Sequence, residues 1–535
     1  MLYKNIENLT ISNKSNSANN VMVASARYEA SDIGIGIMKK GGNAIDAAVA
    51  VGFALSVCEA NASGLGGGGF MNLYIKDENL NTFIDFREIA PENASPSMWE
   101  VVDGEVVGNQ KAEGGKSVCV PGETAGLIHA HKKYGKLDLK TVIEPAIILA
   151  ETGIEITNAF NQDLINNKDK MMRFLEEGNS FVKANKVIKN PALANTLKEI
   201  MLNGADGFYK GSVAKQIVES INKHNGIFKL SDLSDYKVRE MSPLKGFYKG
   251  YEIISSPLPS SGGTHILQIL NILELLDISQ YRVNSLEYIH MLSEVFKICF
   301  ADRQEFMGDP CFNHVPIKGI LSKNYSKELS KNIEMDSVKS YEYGNPMDYE
   351  SLDTTHYSIV DNEGNMVSVT KTISAFFGSG VIPKNTGVVL NCQARGFAIG
   401  EGKTNSIAPK KKPLSSMSPT IIMKDGNPFA VIGTPGANRI ITTMVQIIIK
   451  MIDYEMTMED AIDSPRISND MSEILYCEDR IDEDIINRLS LLGHKVEVCK
   501  SYDRKFGGVQ GIKCNIDKTL QGAADLRRDG VALGY

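Results

Sequence analysis

The hydrophobic pattern divides the chain into a helical first half and a mixed second half. Apolar positions from Ser25 to Lys40 recur at helical spacing and run into Gly41-Gly42, a helix stop. Asn43 then caps a second helix, Ala44 to Cys58, whose small and aliphatic residues suit close helix packing. Gly66 to Gly69 permit backbone angles that side chains forbid, so a tight turn beside a ligand or another backbone is expected. Phe70 to Lys76 and Asn81 to Arg87 read as strands, and the polar residues 1–20 as a loose lead-in. Residues 121–310 carry helical patterns near 121–134, 138–152, 191–203, 211–224, 263–277 and 284–305, with a structured loop at Ser255 to Gly263. A polar, weakly patterned stretch at about 324–352 reads as a mobile linker. The period changes at Thr354. Residues 354–361 and 365–370 alternate as strands around the turn Asn362-Glu363-Gly364, with further strands near 387–390, 419–424 and 428–434. Helices follow at about 437–452 and 483–492, and the mixture suggests a layered α/β fold.

Composition narrows the function classes. The chain has 535 residues, which means two domains or one large core. Apolar residues make up 43% and charged residues 23%, so disorder does not dominate. The net charge of −8 makes nucleic-acid binding a poor first reading. The one basic cluster, Lys410-Lys411-Lys412 between two prolines, reads as a solvated loop. No segment reaches the roughly 20 apolar residues of a membrane span, and the N-terminus lacks the apolar stretch of a secretory signal. A cytoplasmic location is expected, or secretion if a leader has been removed. The eight cysteines are scattered without a CxxC pair and read as buried thiols. No Cys/His group has metal-ligand spacing, so neither a metal nor an organic cofactor is expected.

One short motif carries chemistry. Asp353-Thr354-Thr355-His356 places a threonine at the start of a strand, directly after the polar stretch. A threonine hydroxyl is a weak nucleophile and needs a base. If the chain is cut before Thr354, the new α-amine can serve, with a reference pKa of about 7.7–8.0. A β-branched pair that merely opens a strand is the commonplace alternative. His356 should point to the opposite face from Thr355 and make a structural hydrogen bond. Cys392 should face the core.

The whole chain resembles the γ-glutamyltranspeptidase family of N-terminal nucleophile hydrolases, from about residue 20 to Tyr535. The matching motifs are GGNAIDAAVA at 41–50, SGLGGGGFM at 63–71, DFREIAP at 85–91, SSGGTH at 260–265, DTTHYSIVD at 353–361, PLSSMSPT at 413–420, GTPGANRIITT at 433–443 and the terminal GAADLRRDGVALGY. The resemblance implies an αββα four-layer sandwich with a largely helical region in the large subunit. It implies self-cleavage between Asp353 and Thr354 into a large chain, 1–353, and a small catalytic chain, 354–535, which pair as one unit. The mature Thr354 would attack a γ-glutamyl amide such as glutathione and pass the acyl group to water or an amine. Thr372 matches the threonine that hydrogen-bonds the nucleophile. Gly436 and Ala437 match a glycine pair whose N–H groups form an oxyanion hole. Arg87, Ser415 and Ser416 match residues that hold the substrate α-carboxylate, and Gln393 matches an amide ligand. For Arg87 a structural pair with Asp85 or Glu88 is the competing role. One of Arg527 and Arg528 would support the pocket, although Leu526 stands where a proline is usual.

The departures from the family pattern bear on specificity. Where an acid is expected to receive the substrate α-ammonium, Gly396 stands beside Arg395, and Ser374 stands where a polar Asn or Glu is expected. A buried ammonium needs a compensating charge. Either Glu401, or Gln393 with water, holds the amine, or the acyl donor has no free α-amine. Poly-γ-glutamate and glutaryl or oxalyl amides are donors of the second kind, and Gly378-Ser379-Gly380-Val381 also resembles the outlying members that use them. The short segment from Phe397 to Pro413, with Gly400 and Gly402, implies a mobile cover and a more open pocket. A non-catalytic binding protein on the same fold is a third reading, which the retained Thr354 opposes.

Overall fold

The structure is a computed structural model that describes residues 14–182, 186–341, 353–469 and 473–535. Its large sheets use fourteen strands: β1 (Ser15–Ala18), β2 (Met22–Ser25), β3 (Gly68–Ile75), β4 (Leu80–Phe86), β5 (Arg239–Met241), β6 (Leu244–Tyr248), β7 (Tyr251–Ser255), β8 (Asp353–Val360), β9 (Met366–Ser374), β10 (Thr420–Lys424), β11 (Asn427–Gly433), β12 (Gln510–Cys514), β13 (Leu520–Ala524) and β14 (Val531–Gly534). Among the described residues these form two seven-stranded antiparallel sheets, in the orders β1-β13-β12-β11-β10-β7-β6 and β14-β2-β8-β9-β3-β4-β5.

The strand period of two sorts each side chain to a layer. Along β8, Tyr357 and Ile359 enter the core shared with helices α1 (Tyr28–Lys39), α2 (Ala44–Cys58) and α3 (Leu139–Thr152). Val360, with Met22 and Met366, instead packs on Ile421, Val431 and Ile512 of the other sheet. On that sheet's far side, Ile253, Ile422 and Ile432 pack against α4 (Gly262–Leu276), α5 (Leu286–Phe306) and α6 (Arg439–Ile452). The order is helix, sheet, sheet, helix, which is the expected αββα sandwich. Asn43 caps α2 through a reciprocal pair with Asp46, a device worth about 1 kcal/mol.

The glycine run resolves in favour of a neighbouring backbone. A Cβ on Gly67 would stand 2.1 Å from the carbonyl oxygen of Thr372, so only glycine lets this turn lie against β9.

Several expectations need correction. Ser15–Ala18 is an edge strand rather than loose chain, paired with β13. The stretch near 387–390 is irregular, touching the glycine turn by one bridge between Gly66 and Leu390. The supposed linker opens as a helix, Lys323–Ser330, and its continuation is strapped to α5. His290 Nε2 contacts Glu334 O at 2.7 Å, and Tyr341 donates to Glu294 at 3.2 Å. The remaining expected linker, 342–352, lies outside the described residues. The lysine cluster is not solvated throughout: Lys411 and Lys412 are buried, and Lys412 Nζ lies 2.6 Å from Asp85. Its alternation of charge and proline looked like surface because its acidic partner is far away in sequence. No helix among the described residues is long and apolar enough to cross a membrane.

Candidate active site

Thr354 lies where the ladder between β8 and β9 slips. Asp353 pairs with Ser374 and Thr355 with Lys371, so the register shifts across the threonine. Such irregularities re-aim a side chain locally. The Thr354 hydroxyl is directed at Thr372 Oγ1, 3.4 Å away, and both residues are buried. Thr372 Oγ1 in turn accepts the N–H of Ser374 at 2.8 Å. Ser374 has φ 81°, a left-handed conformation that costs a non-glycine residue about 1 kcal/mol or more. Its backbone therefore fixes Thr372, while its side chain does not line the cavity at Thr354.

That cavity measures about 50 Å³ and brings together most of the expected residues: Thr354, Thr372, Arg87, Gln393, Ser415, Ser416 and Ala437. Gly436 sits just behind this wall and does not line it. The helix expected from 437 begins at Arg439, two residues later. Gly436 and Ala437 instead form a turn with φ 132° and 54°, which aims the backbone before the helix starts. Helix N-termini leave N–H groups unpaired and partially positive, a setting that favours developing negative charge. The alanine keeps the left-handed angle and so carries some strain.

Arg87 stands at the cavity and also forms the structural pair with Glu88. It lines the cavity, and its Nη1 lies 3.1 Å from Glu88 Oε2. Its other nitrogens reach the carbonyls of Pro413 and Leu414 at 3.4 and 3.3 Å. Burial pushes the Glu88 carboxyl up to about 7, with Arg87 beside it pulling the other way. Asp85 is not the arginine's side-chain partner, since it pairs with Lys412 and accepts the Arg87 backbone N–H.

Sequence reasoning missed three polar side chains of the wall. Arg303, on the last turn of α5, donates from Nε to Ser261 Oγ at 2.8 Å and from Nη2 to Ser416 Oγ at 2.9 Å. Ser416 therefore turns its own proton elsewhere, and Asn438 Oδ1 accepts it at 3.2 Å. Asn405 closes the other edge, donating to Gly396 O at 2.7 Å. An arginine at a helix end reads as a dipole partner, and only the packing of α5 on the 260–263 loop reveals this one as a cavity residue.

The acid-free wall persists in three dimensions. Arg87 and Arg303 are the charged side chains among the described residues lining the cavity. Arg395 is half-buried outside the lining, and Glu401 is exposed at the loop tip between Gly400 and Gly402. The 397–413 segment folds back on itself, Ala398 N donating to Asn405 O at 2.9 Å, and brings Asn405 to the cavity wall.

The remaining expectations divide. His356 is buried on the face towards the other sheet, with contacts to Thr370 Oγ1 at 2.8 Å and Ser358 Oγ at 3.0 Å. Burial lowers it to about 3, so it stays neutral. A Cβ on Gly433 would lie 2.2 Å from its ring, so the glycine is what admits it. Cys392 is buried, as are most of the cysteines, although Cys311 is exposed. Neither Arg527 nor Arg528 lines this cavity. Arg527 is instead held by Glu478 and Asp525. One group departs from the expectation of no metal-type cluster. His290, Glu294 and His494 place donor atoms within 4.8 Å of one another, from positions too far apart in sequence to reveal it. The two imidazoles are hydrogen-bonded at 2.8 Å and Lys297 lies 2.6 Å from the carboxylate, so the trio is already engaged without an ion.

Comparison with known proteins adds three findings. The family model described as Gamma-glutamyltranspeptidase matches residues 30–535. A glutathione hydrolase proenzyme from Escherichia coli (strain K12) is 38% identical over 96% of this chain and 92% of its own, and an Acylase ACY 1 proenzyme from Pseudomonas sp. (strain SE83) is 35% identical over 98% and 95%. The crystal structure of a cephalosporin acylase from Bacillus halodurans superposes with a TM-score of 0.87 at 25% identity, over 97% of each chain.

Proposed function

Because the chain belongs to the γ-glutamyltranspeptidase family, we propose that it matures by breaking the Asp353–Thr354 bond and then cleaves γ-glutamyl amides through Thr354. In the precursor the Thr354 hydroxyl attacks the Asp353 carbonyl, the acyl group moves from nitrogen to oxygen, and water hydrolyses the ester. This frees chains 1–353 and 354–535 and leaves an α-amine on the nucleophile's own residue. The amine takes the hydroxyl proton as Thr354 attacks the donor amide. Negative charge developing on the amide oxygen falls beside the turn at Gly436 and Ala437. The proton passes to the leaving amine, and water or an acceptor amine then resolves the acyl-enzyme. Arg87, Ser415 and Ser416 receive the donor carboxylate, where a guanidinium and hydroxyls suit its geometry. Gln393 supplies an amide to the same donor.

What supports this reading above all is the 3.4 Å approach of Thr354 to Thr372 at the ladder slip, inside a cavity that also contains Arg87 and Ser416. Mass spectrometry of purified protein tests it. Two chains are expected, the smaller beginning Thr-Thr-His-Tyr-Ser. A wild type that is active as one intact chain overturns it.

A second reading follows from the acid-free wall: the donor lacks a free α-amine, as glutaryl amides and internal residues of poly-γ-glutamate do. With no carboxylate among the described residues of the lining, an α-ammonium would sit near two guanidiniums. Rates on γ-glutamyl-p-nitroanilide, glutaryl-p-nitroanilide and poly-γ-glutamate separate the readings. A strong preference for the first compound defeats the second reading.

A further inference from the structure

Behind β8, on the face away from the other sheet, lies a second cavity of about 200 Å³ that shares no lining residue with the one at Thr354. Its wall combines Arg27, Glu59 and Asn61 with Asp163, Arg504 and Arg528, so both proposed chains contribute. It reaches solvent at Arg504, whose side chain is 34% exposed.

Most of these groups are already engaged. Arg27 Nη2 holds Glu29 at 2.8 Å. Asp163 is bracketed by Arg504 Nη1 at 3.0 Å and Asn61 Nδ2 at 2.8 Å. What remains is specific. Glu59 Oε2 and Asn61 Oδ1 are buried acceptors without a donor, on residues only 8% and 4% exposed. Arg504 Nε is a donor without an acceptor, on a side chain that shares the Asp163 carboxylate with Asn61. Buried polar atoms are nearly always paired in native proteins, so three unpaired ones in one cavity call for a polar occupant, water or a ligand. Glu59 and Asn61 offer acceptors and Arg504 a donor in one lining, with Asn61 and Arg504 both on the Asp163 carboxylate, a set that suits a ligand carrying an ammonium and a carboxylate.

We propose that this cavity binds a free α-amino acid, with its ammonium on Glu59 and Asn61 and its carboxylate on Arg504. The site is distinct from the cavity at Thr354, and it lies behind the residue that follows the nucleophile, since Thr355 sits against Glu59. It does not depend on which acyl donor the enzyme uses.

Calorimetric titration of the untagged protein with L-alanine, with no acyl donor present, tests it. Ethylamine and propionate serve as probes that each lack one of the two charges. Saturable binding of L-alanine is expected, at least about tenfold tighter than either probe, which corresponds to about 1.4 kcal/mol. Glu59→Gln and Arg504→Met should each weaken L-alanine by a similar factor, while Ser416→Ala leaves it unchanged. Arg504 is partly exposed, so its variant carries the test if Glu59→Gln fails to fold. The proposal is overturned if L-alanine does not bind at millimolar concentration, or if propionate or ethylamine binds as tightly. Loss of binding in Ser416→Ala with retention in both rear-cavity variants overturns it equally, because the amino acid is then held at the catalytic cavity.

Discussion

The two polar cavities differ in electrostatic character. The front one, at Thr354, holds about 50 Å³ and is lined by two arginines and no carboxylate among the described residues. The rear one holds about 200 Å³ and mixes arginines with Glu59 and Asp163. A one-residue step along the strand separates Thr354, facing the other sheet, from Thr355, facing α2 and its C-terminal Glu59. The front lining offers cations alone and the rear lining offers both signs, so the two cavities suit ligands of different charge. The front lining has no anion for an ammonium among the described residues, whereas Glu59 and Asp163 line the rear cavity.

The sharpest way to break this comparison is Thr354→Ala. Maturation and turnover both use that hydroxyl, so the chain should remain single by mass spectrometry and lose activity by about 10³-fold or more, the scale of a lost nucleophile. L-alanine binding at the rear should persist. If the amino acid is lost as well, the two cavities are not independent.

Arg303→Met should come next. It removes the donor that fixes Ser416 and one of two cations at the front. Hydrogen bonds from charged groups are worth about 1.5–3 kcal/mol, so kcat/KM should fall by about 10- to 100-fold. Our reading places the loss mainly in KM for donors bearing a carboxylate, with Arg303→Lys restoring part of it. An unchanged KM would mean that Arg303 only packs α5 against the 260–263 loop.

Much of this was legible before any coordinates, and the failures share one cause. Elements with a strong local period were placed within a few residues: α2 at Ala44–Cys58 agrees at both ends. The short strands β6, β7, β12 and β13 escaped because their pairing is long-range and their patterns are brief. At the site, Thr354, Thr372, Arg87 and Ser416 were found through motifs. Arg303 and Asn438 were not, since their roles exist only where α5, the 260–263 loop and the turn before α6 converge. Lys412 misled for the same reason, its partner Asp85 being more than three hundred positions away. Ser374 shows a subtler limit. Its position was predicted as a ligand, but the backbone angle that makes it useful cannot be read from a serine.

Gly396→Asp sharpens the specificity side. Gly396 has an ordinary backbone angle, and a Cβ there would meet Pro413 Cβ at 3.3 Å, a tight but yielding contact. The variant restores an acid to the wall, so the ratio of rates on γ-glutamyl- and glutaryl-p-nitroanilide should move towards the amine-bearing donor by about tenfold, or about 1.4 kcal/mol. No movement in that ratio would mean that the position does not face the donor amine.

The smallest effect concerns pH and belongs to Glu88. Its carboxyl is raised to about 7 by burial, above its unfolded value near 4.5. An acid raised in this way binds its proton more tightly in the folded state, so it favours folding below pH 4.5 and progressively opposes it as pH climbs to 7. The same titration reaches the front cavity. Below pH 7 the neutral carboxyl leaves the Arg87 charge uncompensated for a donor carboxylate, and above pH 7 the ionised form competes for it. KM for carboxylate-bearing donors should therefore rise a few-fold across pH 7. Glu88→Gln, which keeps the shape and removes the charge change, should flatten that rise and leave the pH dependence of L-alanine binding unaltered. A profile that still bends at pH 7 in the glutamine variant would move the titrating group elsewhere, to the α-amine of Thr354 first, whose reference value of about 7.7–8.0 lies nearest.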